Sequence, residues 1–319
     1  MSYADLKNAF VFRKVFGQHP TVLMGLLNDL LERSGEHLIA SIDYLPSEQV
    51  PLHPGLKLSI LDVRCREVGG ATFVVEMQVL PVTGFLNRVV YNACKAYVGT
   101  LLRGKAFETL TDVVAVSICD FELWPDTERD AQGQARVPLA SRWRMAERAS
   151  GAESLGQVQY VFLELPKLGD RRPATSVELW ATLFVAGPLL TPEDLEREPF
   201  SAAQREAMSL AREETFTPQE RDAIERSHEE VDQVRRIVLA EAKKAEERGL
   251  IKGRTEGRTE GMAPSLRLFQ RKLGRELTDA EQTTLLARLE RLGPERLGDV
   301  ALDMPDTQLS AWLDDPDAR

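Results

Sequence analysis

Two carboxylates and an amide stand inside otherwise apolar stretches of this chain: Asp62 in LDVRC, and Glu76 and Gln78 in FVVEMQV. Residues two apart on a strand share a face. Glu76 and Gln78 therefore point the same way as Val74, while Phe73, Val75, Met77 and Val79 form a core face. In the preceding strand Leu61, Val63 and Cys65 join that core, and Asp62 stands with Ile60 and Arg64. A three-residue turn at Val68-Gly69-Gly70 pairs Glu67 with Ala71 and sets Asp62 directly opposite Glu76. Directly paired side chains have Cβ atoms about 4.5–5.5 Å apart. Acids that close repel unless something positive lies between them. A hard divalent cation is the natural partner, and Mg²⁺ commonly takes one or two carboxylates together with waters and phosphate oxygens. A two-residue turn would put Asp62 on the other face and dissolve the pair. A solvated hairpin face would leave both acids as ordinary surface groups, since antiparallel sheets often have one wet side.

The elements that must position these residues can be read from apolar spacing. FVFRKVFG (Phe10 to Gly17) and TVLMGLLNDLLERSG (Thr21 to Gly35) have helical spacing, with glycines as stops. SIDYLPSEQVPLHPG reads as an extended connection rich in proline. Leu56 to Glu67 and Ala71 to Val79 are strands, and Thr83 to Gly104 is a long amphipathic helix. Asp112 to Trp124 is a nearly continuous apolar strand, so central in a sheet, and Val158 to Pro166 is another. A polar loop, DTERDAQGQARV, separates them. Ser141 to Ser150 fits strand or helix, and Ser176 to Gly187 is helical. The mixed order of helices, hairpin, helix and strands indicates an α/β sheet with flanking helices.

The character changes after about Thr191. TPED, SAAQ and TPQE, starting at Thr191, Ser201 and Thr217, read as capping boxes. A charged helical segment follows, carrying a thin seam of Val231, Val234 and Val238 that fits self-association or a solvated helix. In KGRTEGRTEGM, glycines at 253, 257 and 261 disfavour a stable helix by about 1 kcal/mol each relative to Ala, which suggests a flexible boundary. The expected domains are residues 1–200, a charged helical and Gly-spaced segment 201–261, and a small helical domain 262–319.

Composition bounds the partners. The 319 residues are 43% hydrophobic and 28% charged, as expected of a globular protein rather than a disordered or membrane-spanning one. No stretch approaches the roughly 20 apolar residues of a membrane span. Three widely spaced cysteines (Cys65, Cys94, Cys119) fit neither a zinc pattern nor a disulfide framework, and indicate a reduced, cytoplasmic protein. His19, His37, His53 and His228 are scattered, without ligand spacing. The net charge of −10 argues against generic nucleic-acid binding. However, residues 1–110 carry 11 basic and 10 acidic groups, so the excess, 29 basic against 40 acidic, lies behind them.

Asp in one strand, Glu-x-Gln in the next and a following helix resemble the PD-(D/E)xK nuclease superfamily. More specifically, KNAFVFRKVFG, SILDVRCREVGGATFVVEMQV, GFLNRVVYNACKAYVGTLLRG and VVAVSICDFEL, in that order, resemble the Rpn family of recombination-promoting nucleases and transposases. The C-terminal module, from LRLFQRKLG onward, is similar to a helical domain of unknown function appended to that family. The resemblance implies a PD-(D/E)xK restriction-endonuclease-like mixed sheet with flanking helices, followed by a helical C-terminal extension. It also implies Mg²⁺-dependent endonucleolytic hydrolysis of DNA, with Mn²⁺ as a substitute, in recombination or transposition. Asp62, Glu76 and the Met77 carbonyl would hold the metal. Gln78 takes the place of the usual Lys and can orient water but carries no charge. Leu61 stands where the superfamily has Pro, and Ala9 stands where related sequences commonly have Asp. Asp5, one turn earlier, is a weak substitute for that missing acid. Arg88, Asn92 and Lys95, on a polar stripe of the helix after the hairpin, are candidate phosphate contacts, and Arg13 and Lys14 candidate steering charges. The alternatives are a catalytically impaired, DNA-binding relative, and an interaction protein that forms homo-oligomers through its C-terminal helices.

Overall fold

The alternating stretch Thr72–Gln78 forms a strand that is buried over most of its length, because helices cover both of its faces. The computed structural model describes residues 2–49, 59–68, 70–101, 104–125 and 137–315. The expected strand start at Leu56, the turn residue Gly69, residues 102–103 and most of the polar loop lie outside the described residues; the long helix, expected to reach Gly104, ends at Val98. Helices α1 (Ala9–Gln18) and α2 (Pro20–Leu30) precede strands β1 (Ile42–Tyr44), β2 (Glu48–Gln49), β3 (Ser59–Ile60), β4 (Val63–Glu67) and β5 (Thr72–Gln78). Helix α3 (Phe85–Val98) leads to β6 (Val113–Cys119), β7 (Ala140–Met145) and β8 (Leu155–Glu164). Helices α4 (Ser176–Ala186), α5 (Pro192–Arg197), α6 (Ala202–Leu210), α7 (Pro218–Leu273), α8 (Asp279–Asp303) and α9 (Asp306–Asp314) complete the chain.

Six strands form one sheet in the order β1-β4-β5-β6-β8-β7. Pairing is antiparallel except for the central β5–β6 and β6–β8 pairs, which are parallel. This is the mixed α/β sheet with flanking helices that the sequence indicates. The apolar run in β6 is buried at every position, as a central strand requires. The ambiguous stretch after Ser141 is the edge strand β7. The proline-rich connection, expected to be merely extended, contains β1 and β2.

One face of the sheet carries the larger core. Phe12 and Phe16 of α1 meet Trp180 and Phe184 of α4, with ring centroids 5.7–6.3 Å apart. Each such buried ring contributes about 1.5–3 kcal/mol. Gly25 lets α2 approach α6 closely, since a Cβ there would lie 2.4 Å from the Ala203 Cβ. The opposite face is covered by α3, through Phe85, Val89, Ala93 and Ala96 packed on Leu61, Val74, Ala115 and Phe162. The capping boxes expected at Thr191 and Ser201 are formed, and Thr217 and Glu220 exchange the corresponding hydrogen bonds.

The chain divides into two compact units, Met1–Val238 and Leu239–Arg319, and α7 contributes to both. The glycine repeat is helical here, within α7, rather than a break. Its flanking Lys, Arg and Glu are good helix formers and offset the cost of the glycines. The second unit has its own core of Phe269, Leu285, Leu297, Leu309 and Trp312. Within it α8 breaks at Gly293, whose φ of +79° precedes Pro294. Arg288 is buried and donates to the Trp312 carbonyl at 2.6 Å and to the Asp315 carbonyl, closing the end of α9.

Candidate active site

The hairpin register decides the relation between the two acids. Val63 pairs with Val75, Arg64 with Val74, Cys65 with Phe73 and Arg66 with Thr72. The Glu67 N–H donates to the Ala71 carbonyl at 3.0 Å. Continued in the same register, Asp62 lies opposite Glu76. The face of β5 that carries Val74 and Glu76 is not wet. Helix α3 covers it, and Glu76 is only 9% exposed.

Asp62 sits at a bend between β3 and β4. The bend interrupts alternation, so Leu61 packs under α3 with Val74 rather than beside Val63 and Cys65, as strict period-two reading expects. It also redirects the backbone ladder. Leu61, the residue that register sets opposite Met77, gives its N–H to the Ser47 carbonyl at 3.0 Å. The Met77 N–H donates instead to the Asp62 carboxylate, Oδ2, at 2.9 Å. Asp62 Oδ1 receives the Arg13 Nε–H at 3.4 Å. Arg13 comes from α1, whose Val11, Phe12, Val15 and Phe16 are anchored in the core. Its neighbour Lys14 is taken up elsewhere, 2.6 Å from Glu220 and over the Phe216 ring.

Glu76 is held from the other side. Asn92 on α3 donates to Glu76 Oε1 at 2.9 Å, and Arg88, one turn earlier, brings a guanidinium nitrogen to 4.0 Å from Oε2. Burial pushes the Glu76 carboxyl above the usual glutamate range. Arg88 opposes that shift, Asp62 adds to it, and the Asn92 hydrogen bond opposes it. Arg88 also donates to Gln78 Oε1, while Gln78 Nε2 donates to the Leu80 carbonyl at 2.7 Å. The neutral amide is thus joined to a cation from α3.

The candidate phosphate contacts divide. Arg88 is half-exposed at the acids. Asn92 is 4% exposed and faces Glu76 rather than solvent, because it shares the buried α3 stripe of Phe85, Val89 and Ala96. Lys95 donates to the Gln49 carbonyl at 2.6 Å and lies over the Tyr91 ring. Gln49, passed over in the sequence, is buried and donates to the Asn92 carbonyl at 3.4 Å. Nothing in a two-residue strand marks it beforehand.

Asp5 does not replace the missing acid. It lies with Lys7, which is 4.0 Å from it and 3.2 Å from Asp120. Burial raises the Asp5 carboxyl, with the Asp120 charge adding to the shift. Asp120 sits beside the end of β5, where its N–H donates to the Gln78 carbonyl at 3.0 Å. From α1 it is an arginine, not an acid, that reaches Asp62.

Among the described residues no three His, Cys, Asp or Glu side chains converge on a metal site. The expected set of Asp62, Glu76 and the Met77 carbonyl would be all oxygen. That set fits Mg²⁺, which keeps several waters, better than zinc. Residues 6–240 match the sequence profile of the PD-(D/E)XK nuclease family transposases. The chain belongs to that family. No characterised protein and no solved structure shows a significant match. Membership in a nuclease transposase family assigns the chain a nuclease-type function, with nucleic acid as its substrate. The family match covers both acids, all of α3 and Arg13, and it ends within α7. No helix among the described residues is long and apolar enough to cross a membrane.

Proposed function

We propose that this family member is a Mg²⁺-dependent DNA endonuclease acting in recombination or transposition in the cytoplasm. The observation that carries the reading is that Asp62, just before β4, is held by the Met77 N–H beside Glu76 of β5, with cations from α1 and α3 on either side. Asp62, Glu76 and the Met77 carbonyl would hold Mg²⁺ or Mn²⁺. When bound, the metal supplies an activated water and offsets charge on the phosphate.

The chain's own groups do the rest. The Met77 N–H and the Asn92 amide orient the two carboxylates. Gln78 would orient water, but it carries no positive charge and cannot accept a proton at neutral pH. Arg88, bound to the Gln78 oxygen, supplies the positive charge that a lysine at that position would carry. Burial under α3 limits water around Glu76, which strengthens these interactions.

A second reading has a specific observation behind it. Ala9 carries no carboxylate, and the Gln78 amide nitrogen is bonded to the Leu80 carbonyl. A chain that binds DNA and metal but cuts slowly, or not at all, would have this arrangement. The valine seam of α7, with Val234 exposed, suits pairing with a second copy. Supercoiled plasmid incubated with purified protein and Mg²⁺, Mn²⁺, Ca²⁺ or EDTA separates the readings. Nicking with Mg²⁺ or Mn²⁺ alone supports the enzyme. Metal-dependent retention of DNA without nicking supports the impaired relative.

A further inference from the structure

Arg13 touches Asp62 in an unusual way for a buried-site ion pair. The contact is a single long one, Nε to Oδ1 at 3.4 Å, and the side chain is more than half exposed. Arginine normally meets a carboxylate through two parallel N–H groups at shorter range. The Lys14–Glu220 pair beside it, at 2.6 Å, shows that α1 can place a tight ion pair. The other oxygen of Asp62 is already held by the Met77 N–H. Oδ1 is the less occupied oxygen, so a cation ligated by Asp62 would compete there with the Arg13 charge.

Resting on the nuclease reading, we infer that Arg13 is a phosphate-binding residue that alternates between two anions. It pairs with Asp62 until a divalent cation takes that carboxylate, and its fork then passes to a phosphodiester oxygen of the DNA. Arg88 is not equivalent, because Gln78 retains it by a hydrogen bond that metal ligation does not displace. Arg13 has an anchored backbone, on a helix with Phe12 and Phe16 in the core, and an exposed end. That combination allows the guanidinium to move without moving the helix.

The exchange has a signature that a structural ion pair lacks, namely effects of opposite sign on two ligands. In Arg13→Gln without DNA, calorimetric Mg²⁺ affinity should rise several-fold, because a competing cation is gone. DNA affinity, measured by anisotropy in Ca²⁺, should fall about tenfold, and the slope of log K against log salt should shrink by about one unit. Arg13→Lys keeps the charge without the fork, so it should retain the salt slope with part of the affinity loss. Unchanged or weaker Mg²⁺ binding in Arg13→Gln, or an unchanged salt slope, would overturn the inference. Wild-type protein whose Mg²⁺ binding survives Asp62→Asn would instead remove the nuclease site itself. That result is read in the wild-type background and is distinct from failure at Arg13.

Discussion

Asn92 of α3 donates its side-chain amide to Glu76 of β5 at 2.9 Å, inside a face that excludes most water. The bond opposes the upward shift that burial imposes on the Glu76 carboxyl. Asn92→Ala should therefore move the acid limb of the pH–rate profile to higher pH. Partners that orient metal ligands typically change metal affinity or activity by about 10–100-fold when removed, and a loss of that size is expected. A pH profile unchanged in Asn92→Ala would show that Asn92 only fills space.

Glu76 should also leave a mark on stability. Its carboxyl titrates above the usual glutamate value when folded, because burial disfavours the charged form. The folded state then binds a proton more readily than the unfolded one. Stability associated with Glu76 is fully present below the unfolded glutamate value of about 4.3 and is lost as pH rises through the folded value. Glu76→Gln should be more stable than wild type near neutral pH, and the difference should vanish near pH 4. Denaturant melts across pH test this, and a constant difference would contradict it.

Ala9 is the first residue of α1 and lies one turn before Arg13, so the two share a helix face. No acid occupies the first turn of that helix. Ala9→Asp should add about 0.3–1 kcal/mol through the helix dipole alone. If it also restores a group that works with Asp62 and Glu76, cleavage should rise and the Mg²⁺-induced shift in Tm should grow. A higher Tm with neither change would confine the new acid to the dipole.

The hairpin register was legible before the fold, because a three-residue turn that pairs Glu67 with Ala71 also pairs Val63 with Val75. What covered the acids was not. Whether the face of Glu76 met water depended on where α3 packs, a long-range fact. Asn92 was misread because its polarity suggested solvent, although its spacing from Phe85 and Val89 put it on the buried stripe. The bend at Asp62 moved Leu61 between cores, which strict alternation cannot foresee. Arg13 reaches Asp62, and Gln49 reaches α3, from segments distant in sequence, with nothing local to reveal their partners.

The glycine repeat offers a separate test of domain organisation. It is helical, yet each glycine weakens a helix by about 1 kcal/mol relative to Ala. Limited proteolysis should cut first near residues 253–262 and release a C-terminal fragment. Replacing Gly253, Gly257 and Gly261 by Ala should slow that cut. Primary cutting within Val63–Cys119, or no change on substitution, would show that the glycines are not the weak point of α7.

The valine seam can be tested by mass. Deleting residues 217–319 should reduce an oligomer to a monomer if Val231, Val234 and Val238 pair between copies. Light scattering that reports the same number of chains before and after truncation would dismiss that role.

The most direct measurement compares wild type, Asp62→Asn and Glu76→Gln in one assay, with Mg²⁺ binding followed by calorimetry and plasmid nicking followed in parallel. The account predicts that wild type binds Mg²⁺ and nicks DNA, and that each variant keeps its fold, loses the Mg²⁺-dependent rise in Tm and cuts at background. Equal cleavage by all three proteins would contradict it.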